Sequence, residues 1–86
     1  MRILIVEDEY KIANALKRGL VAEGYAVDVV YNGDDGLANA MEHSYDLVIC
    51  DRMLPGGFDG IGIVKAMRAE NVHTPVLMLT AKDAVS

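Results

Sequence analysis

The chain has no tryptophan, one phenylalanine, one cysteine and two prolines among its 86 residues. A single cysteine cannot close an internal disulfide, and Cys50 sits inside an apolar run, which suits a reducing compartment. Basic residues are scarce: 8 Lys and Arg stand against 13 Asp and Glu, for a net charge of −5. That balance argues against a phosphate-backbone footprint, so no direct nucleic-acid binding is expected from this segment. No apolar run approaches the roughly 20 residues of a membrane span. The four apolar residues after Met1-Arg2 are too few for the core of a signal peptide, and acids follow them at once. The expectation is a soluble, cytoplasmic chain with no membrane partner.

What is present is organised. Hydrophobic residues make up 52% of the chain and charged ones 24%, as in a globular protein, and the length allows one domain. Three short apolar runs each end in an oxygen-bearing side chain. Ile3-Leu4-Ile5-Val6 meets Glu7-Asp8, Leu47-Val48-Ile49-Cys50 meets Asp51, and Val76-Leu77-Met78-Leu79 meets Thr80. Continuous apolar runs of this length read as parallel strands covered on both faces, whose carboxyl ends share one edge of a sheet. Three carboxylates and a hydroxyl are therefore expected to converge. Like charges repel unless a cation shares them, and a small hard ion such as Mg²⁺ prefers carboxylate oxygen.

Between the runs lie helical patterns. Ile12, Leu16 and Leu20 recur every fourth residue beside Ala13, predicting an amphipathic helix that stops at Gly24. Tyr25 to Tyr31 alternates Val27 and Val29 with Asp28, as an edge strand with one wet face does. Asn32-Gly33 reads as a turn before a short helix carrying Leu37, Ala40 and Met41; a third helix carries Ile61, Val64 and Met67. Strict strand and helix alternation predicts an α/β fold, a doubly wound parallel sheet with right-handed crossovers. With the half-exposed second strand outermost, the order is 2-1-3-4. The direction of winding reverses between strands one and three, the place where open α/β sheets bind ligands.

The segments Ile3 to Glu9, Gly24 to Val27, Tyr45 to Pro55 and Thr74 to Ala81 resemble, in order and spacing, the receiver domain of two-component response regulators. Leu54-Pro55 and Leu79-Thr80-Ala81-Lys82 are most similar to the subclass whose full-length members carry a winged-helix DNA-binding domain. The resemblance implies a flavodoxin-like fold. It implies that Asp51 accepts a phosphoryl group from a sensor histidine kinase, with Mg²⁺ held by Asp8, Asp51 and the Met53 backbone carbonyl, and by Glu7 through water. It further implies that Thr80 contacts the phosphoryl group and that the chain is a substrate and switch rather than a turnover enzyme.

Two departures from that pattern stand out. The family's fifth strand, with its lysine, and its last helices have no counterpart in residues 1–86, so the chain is expected to be the incomplete, N-terminal part of a receiver domain. An uncovered fourth-strand edge predicts self-association, by strand exchange, unless more chain covers it. Lys82 is expected to be solvated rather than to replace the missing lysine. The second departure is an extra residue between Pro55 and Gly60. Together they define an alternative: a degenerate receiver-like interaction module that does not signal through phosphate. A flavodoxin-like cofactor binder or an aspartyl phosphohydrolase ranks last, because acids fill the loop after the first strand and Met53 stands where a second Asp is needed. Of the remaining residues, Cys50 is expected to be a packed core thiol, and Tyr10 a helix-start residue rather than a rim residue of the site.

Overall fold

The computed structural model describes residues 1–79; Thr80, Ala81 and Lys82 lie outside the described residues. Seven elements alternate: β1 (Arg2–Val6), α1 (Tyr10–Ala22), β2 (Ala26–Val30), α2 (Gly33–Glu42), β3 (Leu47–Asp51), α3 (Gly60–Ala69) and β4 (Val76–Leu79). The strands form one parallel sheet in the order β2-β1-β3-β4. No helix among the described residues is long and apolar enough to cross a membrane.

The two-residue period of the strands sorts the core into two layers. Leu4, Val6, Val48 and Cys50 face α2 and α3, where Ala40, Ile63 and Met67 close over them. Ile3, Ile5 and Ile49 face α1 through Ala13, with Leu16 and Leu20 partly buried beside them. Burying a side chain such as Leu4 contributes roughly 1.5–3 kcal/mol. β1 and β3 are covered on both sides, and their near-continuous apolar runs reflect that.

Three details differ from the sequence reading. Ile12 is 45% exposed, and Ala13 takes the buried place on α1, because this helix meets the sheet through small and γ-branched residues. On α3, Ile63 is buried while Ile61 is 39% exposed, a rotation of the apolar face that a helix with apolar residues on several sides leaves undecided. Asn32-Gly33 is the start of α2 rather than a separate turn. The Asn32 side chain accepts the Asp35 N–H at 2.8 Å, capping an otherwise orphaned donor. Gly24 ends α1 as expected, in the left-handed region at φ 93°.

The polar face of β2 is not simply wet. Asp28 accepts the Tyr45 hydroxyl at 2.6 Å and the Arg2 guanidinium at 2.9 Å, and Arg2 also lies 5.1 Å from the centre of the Tyr45 ring. The Arg2 N–H adds a bond to Asp46 at 2.7 Å. This network ties β1, β2 and the approach to β3 at the amino edge of the sheet. The Tyr45 hydroxyl and then Arg2 hold the Asp28 carboxyl below its ordinary value, against an opposing push from burial. Burial, followed by the bond to Asp28, pushes the Tyr45 phenol up from 10.0 to about 12. Because the folded value is raised, the neutral phenol's contribution to stability is complete below pH 10 and is lost as pH climbs through about 12. Tyr45→Phe is expected to destabilise the chain by about 1 kcal/mol at pH 8, since Arg2 and Asp28 are partly solvated and the bond is screened. Thermal melts of the two proteins should differ at pH 8, and the difference should shrink as pH rises past 10.

Candidate functional site

The acids collect where β1 and β3 end. The Glu7 N–H extends the ladder one residue past β1 by donating to the Val30 carbonyl at 3.1 Å, which drives the Glu7 side chain inward to 3% exposure. Its Oε2 accepts the Glu9 N–H at 3.0 Å. Asp8 is exposed, and Asp51, the last residue of β3, is half-buried. The Asp51 Oδ1 accepts the Met53 N–H at 3.3 Å, closing a small turn after the strand. One carboxylate oxygen from each of Glu7, Asp8 and Asp51 lies within 4.8 Å of the others.

That arrangement is electrostatically uncomfortable. Burial raises the Glu7 carboxyl above its ordinary value; the Glu9 N–H lowers it, and the Asp51 and Asp8 charges raise it further. A group of hard oxygen donors that repel one another, one of them removed from water, suits a small divalent cation. The donor set therefore fits Mg²⁺.

Cys50 is beside the acids but is not part of their chemistry. Its thiol donates to the Asp51 carbonyl oxygen at 3.3 Å, and burial, then the charges of Asp51, Glu7 and Asp59, push it up to about 12. The thiolate needed for nucleophilic attack is not formed near neutral pH.

The loop from Met53 to Asp59 walls a solvent-open cleft of about 550 Å³ that Asp8 and Gly62 also line. This loop, which holds the extra residue, is tied to its surroundings. Gly56 adopts φ 98°, the Pro55 carbonyl accepts the Gly33 N–H at 3.4 Å, and a Cβ on Gly33 would overlap the Phe58 carbonyl oxygen. Asp59 caps α3 by accepting the Gly62 N–H at 2.8 Å. The loop is thus seated on the start of α2 at one end and on the start of α3 at the other.

Of the residues expected in the site, Glu7, Asp8 and Asp51 come together; Met53 lies two residues past Asp51 and is 68% exposed. Thr80 lies outside the described residues. Tyr10 is the first residue of α1, and its ring meets Tyr31 edge-on with centroids 4.4 Å apart. The Gly33 seat and the Tyr31 partner carry no sequence signal, since both depend on residues distant along the chain. The Asn32 and Asp59 caps could have been read from a capping residue three positions before its target.

Comparison with known proteins agrees with this geometry. The family model for the response regulator receiver domain matches residues 3–86. The transcriptional regulatory protein PcoR of Escherichia coli is 54% identical over 84 residues, which are 98% of this chain and 37% of PcoR. The chain thus spans little more than a third of the curated relatives it matches. Among solved structures, TrrA of Thermotoga maritima in complex with Mg(2+)-BeF superposes with a TM-score of 0.86 at 36% identity, covering 96% of this chain and 71% of that one. The receiver domain of a sensor histidine kinase from Pseudomonas aeruginosa, with a magnesium ion in its active site cleft, gives 0.88 at 31% identity, covering 99% and 70%.

Proposed function

Because the chain belongs to the response regulator receiver domain family, we propose that Asp51 accepts a phosphoryl group from the phosphohistidine of a sensor histidine kinase. The carrying observation is the convergence of Glu7, Asp8 and Asp51 within 4.8 Å at the carboxyl edge of the sheet. In this reading Asp8, Asp51 and the Met53 backbone carbonyl hold Mg²⁺ directly and Glu7 holds it through water. Bound there, Mg²⁺ would offset the charge on the phosphoryl oxygens and keep attacking and leaving atoms in line.

The chain's own residues do the rest. An Asp51 oxygen forms the new bond to phosphorus as the bond to the donor nitrogen breaks, and the product is a mixed anhydride open to water. The Met53 N–H, already on the Asp51 Oδ1, orients the carboxylate. Phosphorylation adds roughly one to two negative charges at the sheet edge, enough to draw in the Thr80 hydroxyl proposed as the switch contact. On this reading the chain is a substrate and switch rather than a turnover enzyme, acting in the cytoplasm. The relatives' names support an output in transcription carried by other parts of the protein. Incubation with a small phosphodonor and Mg²⁺ is expected to add the mass of one phosphoryl group, and a chelator to prevent it. No gain of mass would favour an interaction module that does not use phosphate.

Self-association is part of the proposal. β4 is an outer strand among the described residues, and Leu77, which pairs with Ile49 on the α1 side, is 53% exposed. An apolar edge with unpaired backbone groups templates pairing with another copy. Sedimentation of residues 1–86 by themselves is expected to show dimers or larger species that grow with concentration; a monomer with a cooperative melt at every concentration would overturn this.

A further inference from the structure

The loop that carries Glu7 and Asp8 faces a third carboxylate, that of Asp51. Two unit charges 4 Å apart in a partly solvated setting repel by roughly 1–4 kcal/mol, and Glu7, Asp8 and Asp51 place three carboxylates within 4.8 Å. Something must hold the loop in its receiving geometry before any cation arrives. Its backbone ties are few: the Glu7 N–H on Val30, the Glu9 N–H on the Glu7 carboxylate, and the Ala13 N–H on the Glu9 carbonyl. Glu9 occupies the N-cap of α1 but makes no side-chain cap hydrogen bond, so the helix start is not locked from within.

Among the described residues no side-chain hydrogen bond or ion pair joins residues 7–10 to residues 30–32. Beside the Glu7 N–H on the Val30 carbonyl, the contact that joins them is aromatic. Tyr10 closes the acidic loop, Tyr31 directly follows the Val30 whose carbonyl receives the Glu7 N–H, and their rings meet at 4.4 Å and 66°. Neither hydroxyl has a hydrogen-bond partner among the described residues. The interaction belongs to the rings.

We propose that Tyr31 is a positioning residue for the acidic site: its ring, packed edge-on against Tyr10, clamps the β1–α1 loop to the end of β2 and so presets Glu7 and Asp8 for a divalent cation. The inference rests on the metal reading of the site. It adds a cause for the loop's geometry that lies in neither a ligand nor the phosphoacceptor. A clamp of this kind lowers the cost of ordering the donors on binding, which appears as affinity.

The test uses three variants: Tyr31→Ala, Tyr31→Phe and, as a control at the opposite sheet edge, Tyr45→Phe. In the metal-free chain, hydrogen exchange of the Glu7 and Glu9 amides is expected to speed up in Tyr31→Ala and to stay at the unaltered rate in Tyr31→Phe. Calorimetric titration with Mg²⁺ is expected to show affinity about two- to tenfold weaker for Tyr31→Ala, with Tyr31→Phe unchanged. Tyr45→Phe should melt earlier yet bind Mg²⁺ as the unaltered chain does. Unchanged exchange in Tyr31→Ala would overturn the clamp whatever the metal does, as would equal weakening in Tyr31→Phe or in Tyr45→Phe. If Tyr31→Ala loosens the loop but the unaltered chain binds no Mg²⁺, the metal reading fails, and the positioning role fails with it.

Discussion

Asp51→Asn is expected to abolish phosphoryl labelling and to weaken Mg²⁺ binding by at least about tenfold, because a carboxylate–cation attraction at contact distance is lost from the site. The amide cannot form the mixed anhydride, so no labelling should survive at this position. The substitution is nearly isosteric and can still accept the Met53 N–H on Oδ1, leaving the turn after β3 intact. It also removes a negative charge that raises the Glu7 carboxyl. Without metal, Asp51→Asn should therefore melt at or above the temperature of the unaltered chain, which separates loss of chemistry from loss of fold. Intact mass after phosphodonor treatment, calorimetry and a metal-free melt measure the three effects. Labelling that persists in Asp51→Asn would put the acceptor elsewhere; full Mg²⁺ affinity would remove Asp51 from the cation site.

Gly33→Ala has the next largest expected effect. The added methyl would overlap the Phe58 carbonyl oxygen, a backbone atom with no rotamer to escape into. Either the start of α2 or the loop from Pro55 to Asp59 must shift. Moving that loop disturbs the Gly33 to Pro55 hydrogen bond and Phe58, which packs against the α2 and α3 core. Overpacking of this kind costs typically 1–3 kcal/mol, and in a domain of this size each kcal/mol lowers the melting temperature by about 4–8 °C. Because the loop also walls the cleft that Asp8 lines, labelling should slow as stability falls. Gly19→Ala is the matched control: that position sits within α1 with nothing inside 4 Å of the new methyl. There alanine should leave the melt unchanged or raise it, since it suits a helix interior better than glycine. Equal melts for Gly33→Ala and the unaltered chain would show that the loop yields freely and that the seat on α2 is weak.

Local patterns carried much of the architecture. The apolar runs of β1 and β3 declare strands covered on both faces, the alternation around Asp28 declares an edge, and an acid at the end of each covered run declares a common site. Such patterns are legible because strand periodicity and strand direction are properties of neighbouring residues. Helix faces were less legible. On α1 and α3 the buried positions proved to be Ala13 and Ile63, while Ile12 and Ile61 are exposed. Each helix has apolar residues on more than one side, and which side meets the sheet depends on how closely the elements approach.

The sequence by itself determined the order of elements, the strand order and the meeting of Glu7, Asp8 and Asp51. Only the tertiary structure decided how that meeting is held: the Tyr10–Tyr31 ring contact, the seat of the Phe58 loop on Gly33, and the Arg2–Asp28–Tyr45 network under β2. The division follows from distance along the chain. Periodicity and capping act over a few residues, whereas each of these contacts joins segments 17 residues or more apart, whose juxtaposition exists only once the sheet has assembled.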